Sequence, residues 1–305
     1  MLPRDHWQRT IERLDPATDY EEIYRISTTL EFPWDMEQAL SFALFRTFAV
    51  PSIGRLLDAT GEFCTRTQKR YDDTALLLDE VSRHGLHEPG GRRAIRRINQ
   101  MHGAYDIPPG DMRYVLSTFV VVPRRWVDDY GWRALSDVEV EASVRYYREL
   151  GRLMSIRDVP TTYAGFAELM DSYEAEHFAH HPGSRRVADA TMSLLVGFYP
   201  RPLARATETF SRALMDRPLL DAFDYREPSR PVVLASRAAL RLRARVESRL
   251  PARRTPLHVR DMPRIRSYPG GYETEQLGTF PRGCPHARGA TRPESDGASS
   301  GALGS

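Results

Sequence analysis

Apolar residues that return every three or four positions, in one segment after another, constrain this chain more than any other feature. In "WDMEQALSFALFRTF" the residues Met36, Leu40, Ala43, Leu44 and Phe48 share one side of a 3.6-residue helix. Pro51 suits the first turn of the next helix, "PSIGRLLDATGEF". "TRTQKRYDDTALLLDEVSRHG" is amphipathic and stops at Gly85. Pro89, Gly90 and Gly91 read as a turn before a further helix, "RRAIRRINQMHG", which "IPPGD" breaks, with Asp111 placed to cap another. That helix, "MRYVLSTFVVVPRRWVDDYG", has a β-branched run from Val120 to Val122 and then Pro123. A buried strand competes there, but the length and the cap favour a kinked helix. Ser136 with Glu139 three residues on forms a capping box. A threonine-capped helix with Phe166, Leu169, Met170 and Tyr173 on one face is expected to end at Pro182 and Gly183. Further helices are expected around 185–197, 202–215 and 230–249. No hairpin signal of the Asn-Gly type and no fixed-period repeat occurs. The expectation is an all-α, multi-helix domain over residues 1–280. The Gly-, Ser-, Arg- and Pro-rich stretch 281–305 is expected to be a disordered tail.

With 305 residues the chain has ample material for a large core. Its 43 basic and 41 acidic residues leave a net charge of +2, which gives no global drive toward nucleic acid. No apolar run approaches bilayer length, and the charged start "MLPRDHWQRT" carries no signal-peptide pattern. Cys64 and Cys284 cannot make a disulfide framework or a metal-type pair, so a cytoplasmic, reducing location is expected. Lys69 is the sole lysine among the basic residues; the rest are arginine. The two are not equivalent where a compact, titratable amine is needed, so its survival invites explanation.

Four features carry candidate chemistry. Ile95, Ile98, His102 and Tyr105 line one helical face, so an imidazole sits in an apolar stripe. It is either a core histidine satisfied by backbone groups or a metal or haem ligand. The lack of other cysteine or histidine at ligand spacing nearby disfavours zinc and leaves haem, which needs only one or two protein ligands. In "TRTQKRYDDT" Arg66, Lys69 and Arg70 are helical neighbours, forming either a solvated face paired with Asp72 and Asp73 or an anion- and oxygen-handling site. "EAEHFAHH" contains Glu174 and His177, half of a helical di-iron motif, but no second Glu-x-x-His exists. No Gly-x-Ser-x-Gly, Gly-x-Gly-x-x-Gly or Walker loop occurs. Residues 235–266 are strongly basic, with Ala235, Ala239, Leu242, Val246 and Leu250 on one helical face. They read either as a contact for anionic lipid or as a helix packed on the domain.

The run "RRINQMHGAYDIPPGDMRYVLSTFVVVPRRWVDDYGWRALSDVE" resembles the core of the MpaB and rubber oxygenase (latex clearing protein) family. So do "GEFCTRTQKRYDDT", "MSIRDVPTTY", "EHF" and "YPGGYETEQLG", in order, over roughly residues 30 to 280. The bacterial MpaB-like branch is the nearer match. This resemblance implies a globin-like helical domain holding haem b, with His102 as the iron ligand and Arg66 and Lys69 on the distal side. Arg66 and Arg70 would hold propionates or polarise oxygen. It also implies dioxygen chemistry on an apolar small molecule, such as an isoprenoid or unsaturated lipid-like chain. Two departures stand out: Arg70 replaces the threonine that follows the lysine in rubber oxygenases, and no acidic residue between Glu37 and Asp58 can serve as their glutamate. A haem b-dependent oxygenase is therefore expected, with a non-catalytic haem- or lipid-binding protein as the alternative and a di-iron enzyme last.

Overall fold

The computed structural model describes residues 2–279; the expected tail over 281–305 lies outside the described residues. The described chain folds into fourteen α-helices. The first seven are α1 (His6–Ile11), α2 (Tyr20–Ile26), α3 (Pro33–Phe48), α4 (Pro51–Thr60), α5 (Glu62–Thr65), α6 (Thr67–His84) and α7 (Pro89–Gly103). The other seven are α8 (Pro109–Tyr130), α9 (Asp137–Leu153), α10 (Tyr163–His177), α11 (Pro182–Val196), α12 (Ala204–Leu214), α13 (Arg217–Ala222) and α14 (Arg230–Glu247). A π-helical turn, Ser27–Glu31, links α2 to α3. The β pairing among the described residues is one isolated bridge, Leu2 to Ala252.

The long helix α8 is the central rod. It packs along α3 on one side and α10 on another, while α6 lies against α7, α4 against α11 and α2 against α9. The β-branched run is helical because α8 is buried on several sides, with Val120, Val121 and Val122 all in the core; packing overrides the strand preference of valine. The helix continues through Pro123, whose missing N–H leaves the carbonyl of Phe119 without its usual intrahelical donor. Phe42 packs against three separate groups of buried apolar residues and knits them into a continuous interior.

The capping box at Ser136 and Glu139 forms in both directions, and Thr162 caps α10 by accepting from the amide of Gly165. Two expected breaks are instead helix starts. Pro89, Gly90 and Gly91 are the first turn of α7, and Pro182 and Gly183 open α11 behind His181, whose Nδ1 accepts from the Gly183 amide. Proline is at home in a first turn because its absent N–H has no helical partner there. Asp111 does not cap α8; it lies inside the first turn, buried, and accepts from Ser52 Oγ (3.0 Å) and Tyr173 Oη (2.6 Å).

Gly91 sets how closely α7 approaches the end of α6. A Cβ there would stand 1.8 Å from the carbonyl oxygen of Gly85, backbone that cannot swing aside. Gly91→Ala is expected to destabilise the protein by about 2 kcal/mol or more, read as a lowered denaturant midpoint with unchanged m-value.

After α14 the chain returns as a loop that straps across α6 and α7. Asp72 accepts from the Ser267 amide (2.9 Å), Ser267 Oγ (2.7 Å) and the Arg266 amide (3.0 Å). Tyr268 Oη donates to Asp73 and Tyr272 Oη to Glu80. Arg97, buried on α7, donates to the carbonyls of Leu277 (2.7 Å) and Thr279 (3.0 Å). The acidic residues of α6 are thus not a solvated face; they are the anchor row for "YPGGYETEQLG".

Candidate functional site

Between α3, α4, α6, α7 and α8 lies a cavity of about 1580 Å3, its open mouth included. Its wall is mainly aliphatic and aromatic, with Leu44, Phe48, Leu77, Ile98, Val115 and Phe119 among the lining residues. Few polar side chains interrupt it. Among them are His102, Arg70, Tyr71, Tyr105, Asp111 and Thr118. This mixture, apolar walls with a few directed polar groups, is what a small-molecule site looks like.

His102 comes to the cavity because it shares a helical face with Ile95 and Ile98, both buried in the core, one and two turns up α7. The residue is half-buried and lines the cavity, while Nδ1 is sealed from solvent and has no hydrogen-bond partner among the described residues. Buried polar nitrogens ordinarily find partners, and no backbone group among the described residues serves His102 Nδ1. Burial, reinforced by the guanidinium of Arg70, pushes the His102 pKa down to about 4. The ring is therefore neutral at physiological pH and keeps a lone pair for a metal.

Arg70 is the cation of the cavity wall. It lies over the Phe63 ring, 5.2 Å from the centroid, and donates to Thr74 Oγ1. Burial lowers its pKa, with Asp73, Glu62 and Tyr105 acting in the opposite sense. Asp111 is the one carboxylate lining this cavity among the described residues. Sequence reasoning missed it because an aspartate behind Pro-Pro-Gly reads first as a cap; its burial depends on Tyr173, sixty-two residues away.

The other candidates lie elsewhere. Arg66 is exposed and paired with Glu62 on its own surface. Lys69 donates to Asp73 (2.7 Å) and to the carbonyl of Gly278 (3.2 Å), so the sole lysine anchors the strap. Neither lines the cavity. Gly278 makes the same junction tight: its φ is +87°, and a Cβ on it would meet Met101 Sδ at 2.0 Å, next to His102. The Glu174 half of the Glu-x-x-His pattern is spent on Arg46 and on Tyr114 Oη (3.0 Å), while His177 Nδ1 meets the Tyr173 carbonyl. Among the described residues no three His, Cys, Asp or Glu side chains are placed to share a metal ion, which leaves no donor set for a di-iron centre there.

A second cavity of about 1370 Å3, its open mouth included, adjoins the first. Both are walled by Leu44, Tyr71, Thr74, Leu78 and Phe119. Its far side takes in Met262 and Ile265 from the strap and the ion pair of Glu37 with Arg264.

A family profile described as "ER-bound oxygenase mpaB/B'/Rubber oxygenase, catalytic domain" matches residues 36–245, a span that holds His102, Arg70 and Asp111. The chain is 32% identical over 247 residues to ER-bound oxygenase mpaB of Penicillium brevicompactum, covering 74% of this chain and 62% of that protein. It is 31% identical over 240 residues to mpaB' of the same fungus, covering 72% and 57%. For ER-bound oxygenase mpaB of Penicillium roqueforti the identity is 30% over 246 residues, covering 74% and 83%. The chain thus spans about three fifths of the length of the two Penicillium brevicompactum relatives.

Proposed function

The chain belongs to the MpaB and rubber oxygenase catalytic-domain family, and on that premise we propose that it is a haem b-dependent oxygenase acting on an apolar, unsaturated chain. The observation that carries this reading is the neutral, unpartnered imidazole of His102 on the wall of an apolar cavity. The residues present fit a haem. One imidazole suffices as protein ligand, the walls accept a flat hydrophobic macrocycle, and Arg70 suits a propionate or another anion.

Haem, when bound, supplies the activation of dioxygen. The chain's own residues do the remainder. His102 on α7 would hold the iron, Arg70 on α6 would fix negative charge, and the aliphatic wall excludes water. Asp111, held by Ser52 Oγ and Tyr173 Oη, is the carboxylate this wall offers in place of the glutamate absent between Glu37 and Asp58. An apolar chain longer than the first cavity extends past Phe119 into the second. Addition of both atoms of dioxygen across a carbon–carbon double bond, giving two carbonyl groups, balances without an external reductant.

The test is reconstitution. Purified chain titrated with haemin is expected to saturate at one haem per chain with a Soret band, and then to consume oxygen with prenylated or unsaturated lipids, yielding carbonyl products. Absence of stoichiometric haem uptake sinks the reading. The placement of Arg66 and Lys69 off the cavity wall favours a second reading, a haem- or lipid-binding protein without turnover. It predicts the Soret band with no oxygen consumption.

A further inference from the structure

The last helix, α14, has two faces of opposite character. Ser236, Leu240 and Ala244 turn inward and are buried. Arg243 fixes the helix by donating to both carboxylate oxygens of Asp35 (2.9 and 3.1 Å) while lying over the Trp34 ring, 3.8 Å from its centroid. The outward face carries Leu234, Ala235, Ala239, Leu242 and Val246, with Leu250 just past the end. Leu234 is 69% exposed, Leu242 60%, Val246 51% and Leu250 54%, and these are four of the six exposed large apolar side chains among the described residues. Beside them Arg241, Arg245 and Arg249 succeed one another at four-residue steps, and Arg253 and Arg254 are exposed beyond. Arg245 and Arg249 have no ion-pair partner among the described residues. The one acidic residue of α14, Glu247, is already bound to Arg4 and Arg243.

We propose that this face of α14 is a docking surface for an anionic lipid membrane, with the leucine and valine side chains entering the acyl boundary and the arginines meeting lipid phosphates. An apolar line edged by guanidinium groups matches a surface that is apolar below and negative above. Arginine suits phosphate through paired N–H bonds, and its stem reaches from apolar depth to the headgroups. Two other occupants match less well. A second copy of the chain brings arginines to arginines and no free acid from this helix. Residues 281–305 offer one large aliphatic side chain, Leu303, to cover four. The surface is narrower than residues 235–266, because Leu257, Val259, Met262 and Ile265 line the second cavity.

The experiment is co-sedimentation of the full chain with vesicles of phosphatidylcholine alone or mixed in equal parts with phosphatidylserine. Association is expected with the mixed vesicles, little with phosphatidylcholine alone, and a decline as salt is raised. Leu242→Asp and Val246→Asp, at exposed positions where folding has little at stake, are expected to weaken association by about tenfold or more each. Replacing Arg241, Arg245 and Arg249 together by glutamine is expected to abolish the preference for phosphatidylserine, with circular dichroism unchanged. The proposal is overturned by no association with either vesicle, by equal association with both, or by a solution dimer that Val246→Asp dissociates in the absence of vesicle binding. None of these readouts depends on haem.

Discussion

His102→Ala protein is expected to fold, to take up no stoichiometric haem and to show no shifted, sharpened Soret band, at a haemin concentration that saturates the unaltered chain. Among the described residues the cavity offers no other imidazole, thiolate or methionine pair on one wall; Met101, Met112 and Met154 are thioethers scattered over α7, α8 and the end of α9. Haemin left to apolar contact alone would keep the broad, unshifted absorption of the free compound. Thermal melts give an independent readout. Haem that binds the folded chain at 100 to 1,000 times its Kd adds about 3–4 kcal/mol of stability, so the unaltered protein gains in Tm and the variant does not. The apo protein adds a pH signature with a definite sign. The folded His102 pKa of about 4 lies below its unfolded value of 6.5, so the unfolded chain binds the proton first as pH falls. The stability contributed by keeping the ring neutral is present above about pH 6.5 and is lost on acidification towards pH 4. The loss is on the order of 3 kcal/mol at most. In His102→Ala that part of the acid slope disappears. A variant that retains a normal Soret band at one haem per chain would remove His102 from the site altogether.

How far the sequence reveals this architecture depends on the range of the interactions involved. The helices are written locally: the capping box at Ser136 and the Gly85 that stops α6 arise from neighbours a few residues apart. The His102 stripe is equally local, since Ile95 and Ile98 precede it on the same turn pattern. Asp111 and Lys69 are not. Asp111 is a cap by its own surroundings and a buried cavity group only because Tyr173 and Ser52 donate to it. Lys69 sits beside Arg66 and Arg70 in sequence, yet the carbonyl of Gly278, 209 residues on, joins Asp73 in fixing its direction. Position along α6 then separates three adjacent cations into a surface pair, a strap anchor and a cavity wall. Helical phase alone does not do this, because the strap that covers one face of α6 comes from the far end of the chain. The basic run of α14 shows the converse. Its apolar line at Ala235, Ala239, Leu242 and Val246 is plain in the sequence, but which of its two lines meets the domain is settled by Arg243 reaching Asp35.

Arg46→Ala is expected to cost about 3–5 kcal/mol, more than Gly91→Ala, and the reason lies in what it leaves behind. Arg46 and Glu174 are 15% and 8% exposed at their side chains, and they pair through two guanidinium nitrogens. Burial works to lower the Arg46 pKa, but the carboxylates of Glu174 and Asp216 overcome it and hold it above the ordinary arginine value. Truncation removes the cation and strands the Glu174 carboxylate in the interior with Tyr114 Oη as its remaining donor. Asp216, 46% exposed, returns to water at little cost. If the stranded charge is the cause, Arg46→Met combined with Glu174→Met recovers most of the loss. About 1–3 kcal/mol remains, because Tyr114 Oη then has no acceptor. If the loss came from removed packing alone, the double variant would be no better than Glu174→Met by itself, and chemical denaturation of the four proteins separates the cases. The consequence extends to the cavity. Tyr114 stacks on Tyr173 with ring centroids 4.9 Å apart, and Tyr173 Oη, with Ser52 Oγ, holds Asp111 in the wall. The Arg46→Ala chain is therefore expected to bind haem more weakly as well as to unfold more easily. The double variant, which keeps Tyr114 and Tyr173 packed, is expected to restore haem binding more fully than it restores stability.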